Sequence, residues 1–464
     1  MKRILFVVLI IVGVSAPVMR AQEHLSLDQA VATALDQNRS LRAAGHDVDA
    51  AHWGKLNAVT NFLPKVEVSS SLTRIDPETE QIANASIDFI KNYASMLGIP
   101  ASALSDFKPF AYRDAYLTQF TVVQPIYNGG AELVGLSAAN ATQEKNEYSF
   151  EDTQQDVVAR TRMSYYTVLK AQELVGLTKE SADRIRRYLE MTRRRADVGM
   201  RTQTDVLRWE VQLASGQGAV ISAENFLAAA RLQLNEVMGV ELETEYVLDP
   251  VSHPDSVSVV PTTPLIIQEA GPADTAPVQD DSFLENHPSM KIMEANLHLA
   301  DVGVRKSWIN FQPKVNLAFQ YGWEKNGTLA LDGYRPWALA LTVSWPIFNS
   351  FGDFTNVERS RYEYKRTEVQ VDNFRRGLMM QATNARLALR AAQQRIETAR
   401  KGQQQAQEVL NSVTRKYETG GASNVDLIDV QTAYTSAKTD YITAVYDYLI
   451  AEVQLARATG KVGT

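Results

Sequence analysis

The sequence predicts a mostly α-helical chain in which long antiparallel coiled-coil hairpins carry a smaller part made of β-strands. Three observations predict it: a heptad seam in the second half, a glycine turn after which the seam resumes, and a recurrence of the arrangement in the first half. Small or apolar residues spaced alternately four and three positions apart are typical of a helix buried along one edge. The second-half seam consists of Leu378, Ala382, Ala385, Leu389, Ala392, Ile396, Ala399, Gln403, Ala406, Leu410, Val413 and Tyr417.

Gly420 and Gly421 interrupt this seam, which then resumes along a second helix. Helices joined by so short a turn run antiparallel, so the two are predicted to form one hairpin. The alanines of the seam let the two helices approach closely. The return seam consists of Leu427, Val430, Tyr434, Ala437, Tyr441, Ala444, Tyr448, Ala451 and Leu455.

The first half repeats the hairpin at a constant spacing. Pro125 recurs as Pro346 and Gly199 recurs as Gly420, each 221 positions later. Each position of the second-half seam, moved back by 221, again falls on a small or apolar residue. The first-half seam consists of Val157, Thr161, Ser164, Val168, Ala171, Val175, Thr178, Ala182, Ile185, Leu189, Thr192 and Ala196.

An upstream block recurs at a second spacing, since Lys65 matches Lys314, 249 positions later. The difference between 249 and 221 is 28 residues, an insertion in the first copy between Val66 and Gln124. Recurrence over so long a span indicates two tandem copies of one unit. The predicted organisation is a signal peptide at 1–21, a first repeat at 22–239, an irregular linker at 240–281 and a second repeat at 282–464.

The first 21 residues are typical of a secretory signal peptide, because Lys2 and Arg3 precede an apolar run at 4–14 that is too short to span a bilayer. Its removal takes away three basic residues and no acid, which changes the formal net charge from −7 to −10. An acidic exported chain is a poor nucleic-acid binder, so no such partner is predicted. The absence of cysteine excludes disulfides and thiolate metal sites.

The predicted elements follow from two periodicities, the heptad spacing of helices and the two-residue alternation of strands. In the first copy, Ser26 and Asp28 are good helix-start residues, and Pro64 follows the helix that they open. In chain order we predict a helix at about 26–61, a strand at 66–73, a short helix at about 82–97 within a loop at 76–115, a strand at 116–124, helices at about 130–198, 203–238 and 282–310, strands at 315–323 and 337–345, and helices at about 352–418 and 423–459.

The second-copy strands show their alternation most plainly, with large apolar residues on one face and small or polar residues on the other. A half-buried sheet in a soluble domain is one interpretation. The other is a lipid-facing surface with aromatic residues near the membrane interfaces, and strand pairs of about ten residues in an exported chain favour it. Four strands cannot close a barrel, and an open sheet edge does not occur in hydrocarbon, so the protein is predicted to be an oligomer.

Two other classes of protein compete with a membrane channel. An enzyme is not favoured, because the six histidines fall at no metal-ligand spacing and no phosphate loop or nucleophile motif is present. We therefore predict no catalytic residue, cofactor or metal. A structural coiled-coil protein of the cell envelope is the alternative function, although it would explain the seams and not the aromatic-flanked strands.

The tandem unit, the segment Gln124–Gly130 before the first long helix, and the turns at 198–207 and 419–429 resemble those of TolC-family outer-membrane efflux proteins. The resemblance covers about 25–462. It implies a homotrimer in outer-membrane lipid, with a 12-strand β-barrel continued by an α-helical tunnel through the periplasm. It also implies a periplasmic adaptor (membrane fusion) protein and an inner-membrane RND, ABC or MFS transporter as partners, and export of small molecules or proteins by tripartite efflux or type I secretion.

The resemblance implies that the two glycine turns form the periplasmic tip, where the adaptor docks. We expect Gly199 and Gly420 to end the long helices in the left-handed conformation. The latch of the family places an arginine where this chain has Ala422, while Arg201 occupies the equivalent position of the first copy. The predicted docking residues are Val198, Gly199, Met200, Arg201 and Thr202 in the first turn and Gly420, Gly421 and Ala422 in the second.

Asp426 and Asp429 lie three residues apart at the start of the return helix and therefore share a face. An acid in the first turn also favours the helix dipole, and Asp205 matches Asp426 in the first copy, which suits a structural role. Asp429 is matched by Arg208 instead. The resemblance implies that Asp426, Asp429 and Tyr417 form a periplasmic gate.

Overall fold

Long helices dominate the computed structural model, which describes residues 23–104, 110–250, 282–326, 331 and 333–462. The described residues form two units: a helical unit within Met1–Gly45, Phe150–Pro288 and Arg375–Thr464, and a sheet unit within His46–Ser149 and Ser289–Phe374. The helices are α1 (Leu27–Gln37), α2 (Arg39–Thr60), α3 (Pro77–Met96), α4 (Ala131–Asp197), α5 (Gln203–Met238), α6 (Ser282–Glu285), α7 (Pro288–Ser307), α8 (Gly352–Glu418) and α9 (Asn424–Ala458). The strands are β1 (Glu23–Leu25), β2 (Lys65–Arg74), β3 (Asp114–Asn128), β4 (Tyr246–Leu248), β5 (Lys314–Asn326) and β6 (Trp337–Ser344).

The helical unit confirms the predicted seams. Helices α4 and α8 each have 67 residues, and every residue of the three seams is buried or half-buried. Ala382 on α8 and Leu427 on α9 are completely buried. The heptad spacing therefore gave the buried edge of each long helix correctly.

Two helices that the sequence predicts as continuous are divided. The helix predicted over about 26–61 breaks at Asn38, whose backbone is extended. The Asn38 Nδ2 donates to the Val237 carbonyl at 2.7 Å, and its Oδ1 accepts from the Leu41 N–H at 3.0 Å. This buried side chain serves the backbones of two helices, which a continuous helix could not provide. The helix predicted over about 282–310 is divided in the same way, since α6 ends at Glu285 and α7 begins at Pro288.

A small parallel sheet in the helical unit corrects the prediction of an irregular linker. Strand β4 lies inside the predicted linker at 240–281 and pairs with β1, the strand next to the predicted signal peptide. The Tyr165 hydroxyl lies 2.9 Å from the Leu25 carbonyl and 2.8 Å from the Asp249 carbonyl, which fixes the ends of both strands. Burial raises the pKa of Tyr165 to about 12. Residues 251–281 of the predicted linker and the predicted signal peptide lie outside the described residues.

The sheet unit contains the four predicted strands in the antiparallel order β2-β3-β5-β6. Lys65 pairs with Val123 in the first-copy hairpin, and Lys314 pairs with Ser344 in the second. These two pairs occupy matching positions of the repeat, so the two hairpins have the same register. The outer strands of the sheet are β2 and β6.

This register places the apolar residues of all four strands on one side of the sheet. Val122 pairs with Val66 on one neighbour and with Phe319 on the other, and Phe319 in turn pairs with Leu339. Both outer strands are solvent-exposed along their whole length in the single chain. Among the described helices, none is both long and apolar enough to cross a membrane.

Helix α3 lies within the predicted insertion and is longer than predicted, starting at Pro77 instead of about residue 82. Asp76 caps it by accepting from the backbone N–H groups of the first turn. Asn84 then holds the return segment: its Nδ2 donates to the Ala111 carbonyl at 2.7 Å, and its Oδ1 accepts from the Phe110 N–H at 2.8 Å. The insertion is therefore an ordered helical loop where the structure describes it.

The turns that lead from the sheet into the long helices use the left-handed conformation in both copies. In the first copy Gly129 and Gly130 have φ of 65° and 83°. The second copy places Ser350 and Phe351 at the equivalent positions, with φ of 46° and 61°. Side chains rarely adopt this conformation, so the second turn is strained where the first is not.

Candidate functional site at the two glycine turns

The two glycine turns connect the long helices to the returning helices. Gly199 has φ of 76° and Gly420 has φ of 85°, the left-handed conformation that was predicted. The Met200 N–H donates to the Arg195 carbonyl at 2.8 Å, and the Gly421 N–H donates to the Lys416 carbonyl at 2.7 Å. These bonds satisfy carbonyl groups at the helix ends. A Cβ at either left-handed glycine would meet nothing within 4 Å, so the backbone angle alone requires glycine.

Each returning helix begins with a capping box. The Asp205 N–H donates to Thr202 Oγ1 at 3.2 Å, and the Thr202 N–H donates to the Asp205 carboxylate at 3.2 Å. In the second copy, the Asp426 N–H donates to Ser423 Oγ at 3.2 Å and the Ser423 N–H donates to the Asp426 carboxylate at 2.9 Å. Hydrogen bonds from the Ser423 backbone and side chain lower the pKa of Asp426. Asp205 and Asp426 therefore share a structural role.

A buried network of polar side chains joins the two turns within one chain. Tyr417 is 0% exposed, and its hydroxyl donates to Asn424 Oδ1 at 2.5 Å and lies 2.9 Å from Thr192 Oγ1. Asn424 Oδ1 also accepts from Trp209 Nε1 at 3.1 Å, and Asn424 Nδ2 donates to the Asp205 carbonyl at 3.1 Å. One asparagine thus connects α8 and α9 to α5, and Tyr417 connects them to α4.

Two arginines from the first copy reach across to the second-copy turn. Arg195 donates to the Tyr417 carbonyl at 3.1 Å, and its guanidinium carbon lies 5.5 Å from the centre of the Tyr417 ring. Arg201 donates to the Ala422 carbonyl at 3.2 Å, and its guanidinium carbon lies 4.8 Å from the same ring centre. Both distances allow cation–π attraction. Ala422 is the repeat equivalent of Arg201, so the second turn has no arginine at this position. Arg201 of the first turn instead brings its guanidinium to the second turn.

The predicted docking and gate residues differ in exposure. Val198 and Met200 project from the first turn and are 68% and 75% exposed. Asp426 and Asp429 are both exposed, whereas Tyr417 is enclosed by the network described above. Asp426 is held by its cap, but the Asp429 carboxylate makes no hydrogen bond or ion pair within the part of the chain that the structure describes.

The sequence did not predict the buried network, which includes Asn424 and Trp209. It placed Thr192 in the seam but did not predict its hydrogen bond with Tyr417. Comparison of the two copies could have found two of them, because Asn424 is matched by Gln203 and Trp209 by Val430. Both of these residues carry contacts between the copies. No group of three or more His, Asp or Glu side chains in the described ranges is arranged to hold a metal ion.

Comparisons with known proteins agree with this architecture. The family described as "Outer membrane efflux protein" matches residues 30–240 and 281–461. CyaE of Bordetella pertussis is 24% identical over 345 residues, which cover 74% of this chain and 70% of CyaE. The alkaline protease secretion protein AprF of Pseudomonas aeruginosa is 23% identical over 363 residues, covering 75% of this chain and 70% of AprF. A crystal structure of CusC has the same fold, with a TM-score of 0.75 at 14% identity, and the match covers 94% of this chain and 92% of that chain.

Proposed function

The chain belongs to the outer membrane efflux protein family, and we propose that it is the outer-membrane channel of an export assembly and works as a homotrimer. It resides in the outer membrane, and members of its family are channels and not enzymes. Membership of this family favours the channel over the alternative of a structural envelope protein. We propose small molecules or proteins as the exported cargo, and AprF, a relative, is named for secretion of a protein.

The observation that carries an assembly of several copies is a four-stranded sheet with an exposed apolar face and two outer strands, β2 and β6. In hydrocarbon every backbone N–H and C=O must be paired, so these edges must meet strands of other copies. Two copies would give eight strands, a barrel just wide enough to be filled by its own side chains. Three copies give twelve strands, which leaves a passage.

The assembly is tested on protein purified in detergent from outer membranes. We expect an unheated sample to migrate as a trimer on a denaturing gel and to convert to monomer on boiling, because a closed barrel resists the detergent. The same sample is expected to form ion channels in planar bilayers. A monomer that salt extracts from the membrane, without channel activity, would contradict the proposal.

We propose that the exposed first turn meets the periplasmic adaptor, which in turn joins an inner-membrane RND, ABC or MFS transporter. Support comes from the exposure of Val198 and Met200. They lie beside a turn that the buried hydrogen bonds of Tyr417 and Asn424 hold in place. Met200→Trp adds bulk without straining the left-handed Gly199. We expect it to abolish export and adaptor co-purification at unchanged trimer yield.

Ile221→Trp is the matched control for docking, since Ile221 is exposed on α5 and far along the helix from the turn. It adds the same bulk and is expected to leave export intact. If Met200→Trp retains both export and adaptor co-purification, the turn does not dock the adaptor.

We also propose that Asp426 and Asp429, with Tyr417 behind them, form a periplasmic gate that attracts cations. In a trimer the two exposed carboxylates would make two rings of three acids. The buried network around Tyr417 fixes the start of α9 and thereby the position of both rings. Asp429 carries the test of this gate, because its carboxylate has no capping role.

A further inference from the structure

The two outer strands of the sheet are complementary edges that belong to different copies of the repeat. Strand β2 is the first strand of copy one, and β6 is the second strand of copy two. Each presents a row of backbone N–H and C=O groups that the described sheet does not use, and such edges pair with another strand. The proposed trimer would bring β6 of one subunit beside β2 of the next.

The repeat has already been shown to govern strand pairing inside the chain. Moving the pair Lys65 and Val123 forward by the two repeat spacings gives Lys314 and Ser344, which is the observed pair of the second hairpin. The spacings are 249 for the first strand of a copy and 221 for the second strand, as for Lys65 and Lys314 or Pro125 and Pro346. Sequence equivalence therefore predicts strand register in this sheet.

The junction between copies is also observed, as the pairing of β3 with β5. Phe120 pairs with Tyr321 there. The equivalent residues at the other junction are Leu341 on β6 and Leu72 on β2. We infer that, in the trimer, Leu341 pairs antiparallel with Leu72 of the partner subunit, and that the rest of the ladder follows in the register of the β3–β5 junction. This inference rests on the proposed trimer.

The resulting ladder is chemically consistent across both faces. It places Trp345 opposite Val68 of the partner subunit on the apolar face, and Thr342 opposite Ser71 of the partner subunit on the face of small and polar residues. A slip by one residue would move every apolar side chain to the wrong face. Its last pair sets Trp337 against Asp76 of the partner subunit, the residue that caps α3. The ladder thus ends where the insertion begins.

Disulfide formation tests the register directly, because the chain contains no cysteine. The test variant combines Thr342→Cys with Ser71→Cys in the full chain, oxidised in outer membranes. Opposite residues have Cβ atoms about 4.5–5.5 Å apart and diagonal neighbours are about 7–8 Å apart, whereas a disulfide needs roughly 3.5–4.5 Å. Within one subunit the two positions lie on strands about 14 Å apart, given a spacing of about 4.8 Å per strand. The link must therefore join subunits.

We expect the Thr342→Cys, Ser71→Cys variant to become a covalent trimer on a non-reducing gel. The matched controls pair Thr342→Cys with Thr73→Cys or with Ser69→Cys, two residues out of register on the same face, and are expected to link at least tenfold less. Preferential linking of either control would overturn the register and leave the trimer intact. A heat-sensitive trimer in which no pair links would show that β6 and β2 do not pair. If the wild-type chain, which has no cysteine, does not form a trimer, the proposed function is overturned as well.

Discussion

Asn424 is the residue whose loss most directly tests the buried network at the glycine turns. Asn424→Ala removes three hydrogen bonds at once, those with Tyr417, Trp209 and the Asp205 carbonyl. The Tyr417 hydroxyl keeps Thr192 as a neighbour, but the Trp209 N–H is left in a fully buried site without this acceptor. We expect the turns to open locally much more often.

The size of the effect follows from these contacts. A hydrogen bond contributes about 1 kcal/mol net, and a buried group left without its partner costs about 1–3 kcal/mol. Two lost bonds at about 1 kcal/mol each, together with the orphaned Trp209 donor at about 1–3 kcal/mol, give about 3–5 kcal/mol for local opening. Because about 1.4 kcal/mol is a factor of ten, the open population is expected to rise more than a hundredfold.

Hydrogen exchange on the purified trimer measures this opening. Peptides covering the start of α5 and the start of α9 are expected to exchange more than a hundredfold faster in Asn424→Ala, while the middle of α4 is unchanged. Asn411→Ala is the control, since Asn411 is exposed on α8 and its side chain accepts a bond from Gln407 on the same helix, with no other side-chain partner among the described residues. Equal exchange in the two variants would refute a network that holds the turns together.

Three further predictions concern the gate, the cap and the strained turn. Asp429→Asn is expected to weaken the block of conductance by multivalent cations on the periplasmic side, with no change in stability. Asp205→Asn is expected to leave the block unchanged. Equal block of the wild type, Asp429→Asn and Asp205→Asn in single-channel recordings would contradict the acidic gate. Because the folded pKa of Asp426 is lowered, its capping contribution is complete above the ordinary carboxyl pKa and is lost as pH falls through the folded value. The protection factor at the start of α9, which corrects the exchange rate for its intrinsic pH dependence, is therefore expected to fall in acid in the wild type and to stay constant in Asp426→Ala. Ser350→Gly removes a left-handed conformation that costs a side-chain residue about 1–2 kcal/mol, but the greater flexibility of glycine in the unfolded chain offsets about 0.5–1 kcal/mol of this gain. The temperature at which the trimer dissociates on a gel is therefore expected to stay equal or to rise slightly. A fall of several degrees would show that the turn is not strained.

The parts of the fold that periodicity controls could be predicted from the sequence. The seams, the long helices and the four strands depend on residues a few positions apart, and the repeat supplied two examples of each. The break at Asn38 and the strand β4 depend instead on distant partners, Val237 and the N-terminal strand. Local pattern carries no information about these contacts.

The candidate site was predictable to a similar degree. The left-handed glycines and the capping acids follow from local rules, so their conformations could be predicted. The approach of Arg201 to the Tyr417 ring could not, because the two residues are far apart in sequence and meet only when the two hairpins pack. The same holds for Trp209, whose indole N–H finds its acceptor on another helix.

The turns at Gly129 and Ser350 have a consequence for how the two halves of the chain can evolve. The two turns share one backbone conformation, so the space around each position decides which residues it can accept. A side chain at Gly129 would place its Cβ 2.7 Å from the Cβ of Gln312 and 2.8 Å from the Ile309 carbonyl, whereas a glycine at position 350 meets no such obstacle. Substitution between the two copies is therefore one-sided: position 350 can accept the glycine of the first copy, whereas position 129 cannot accept the serine of the second.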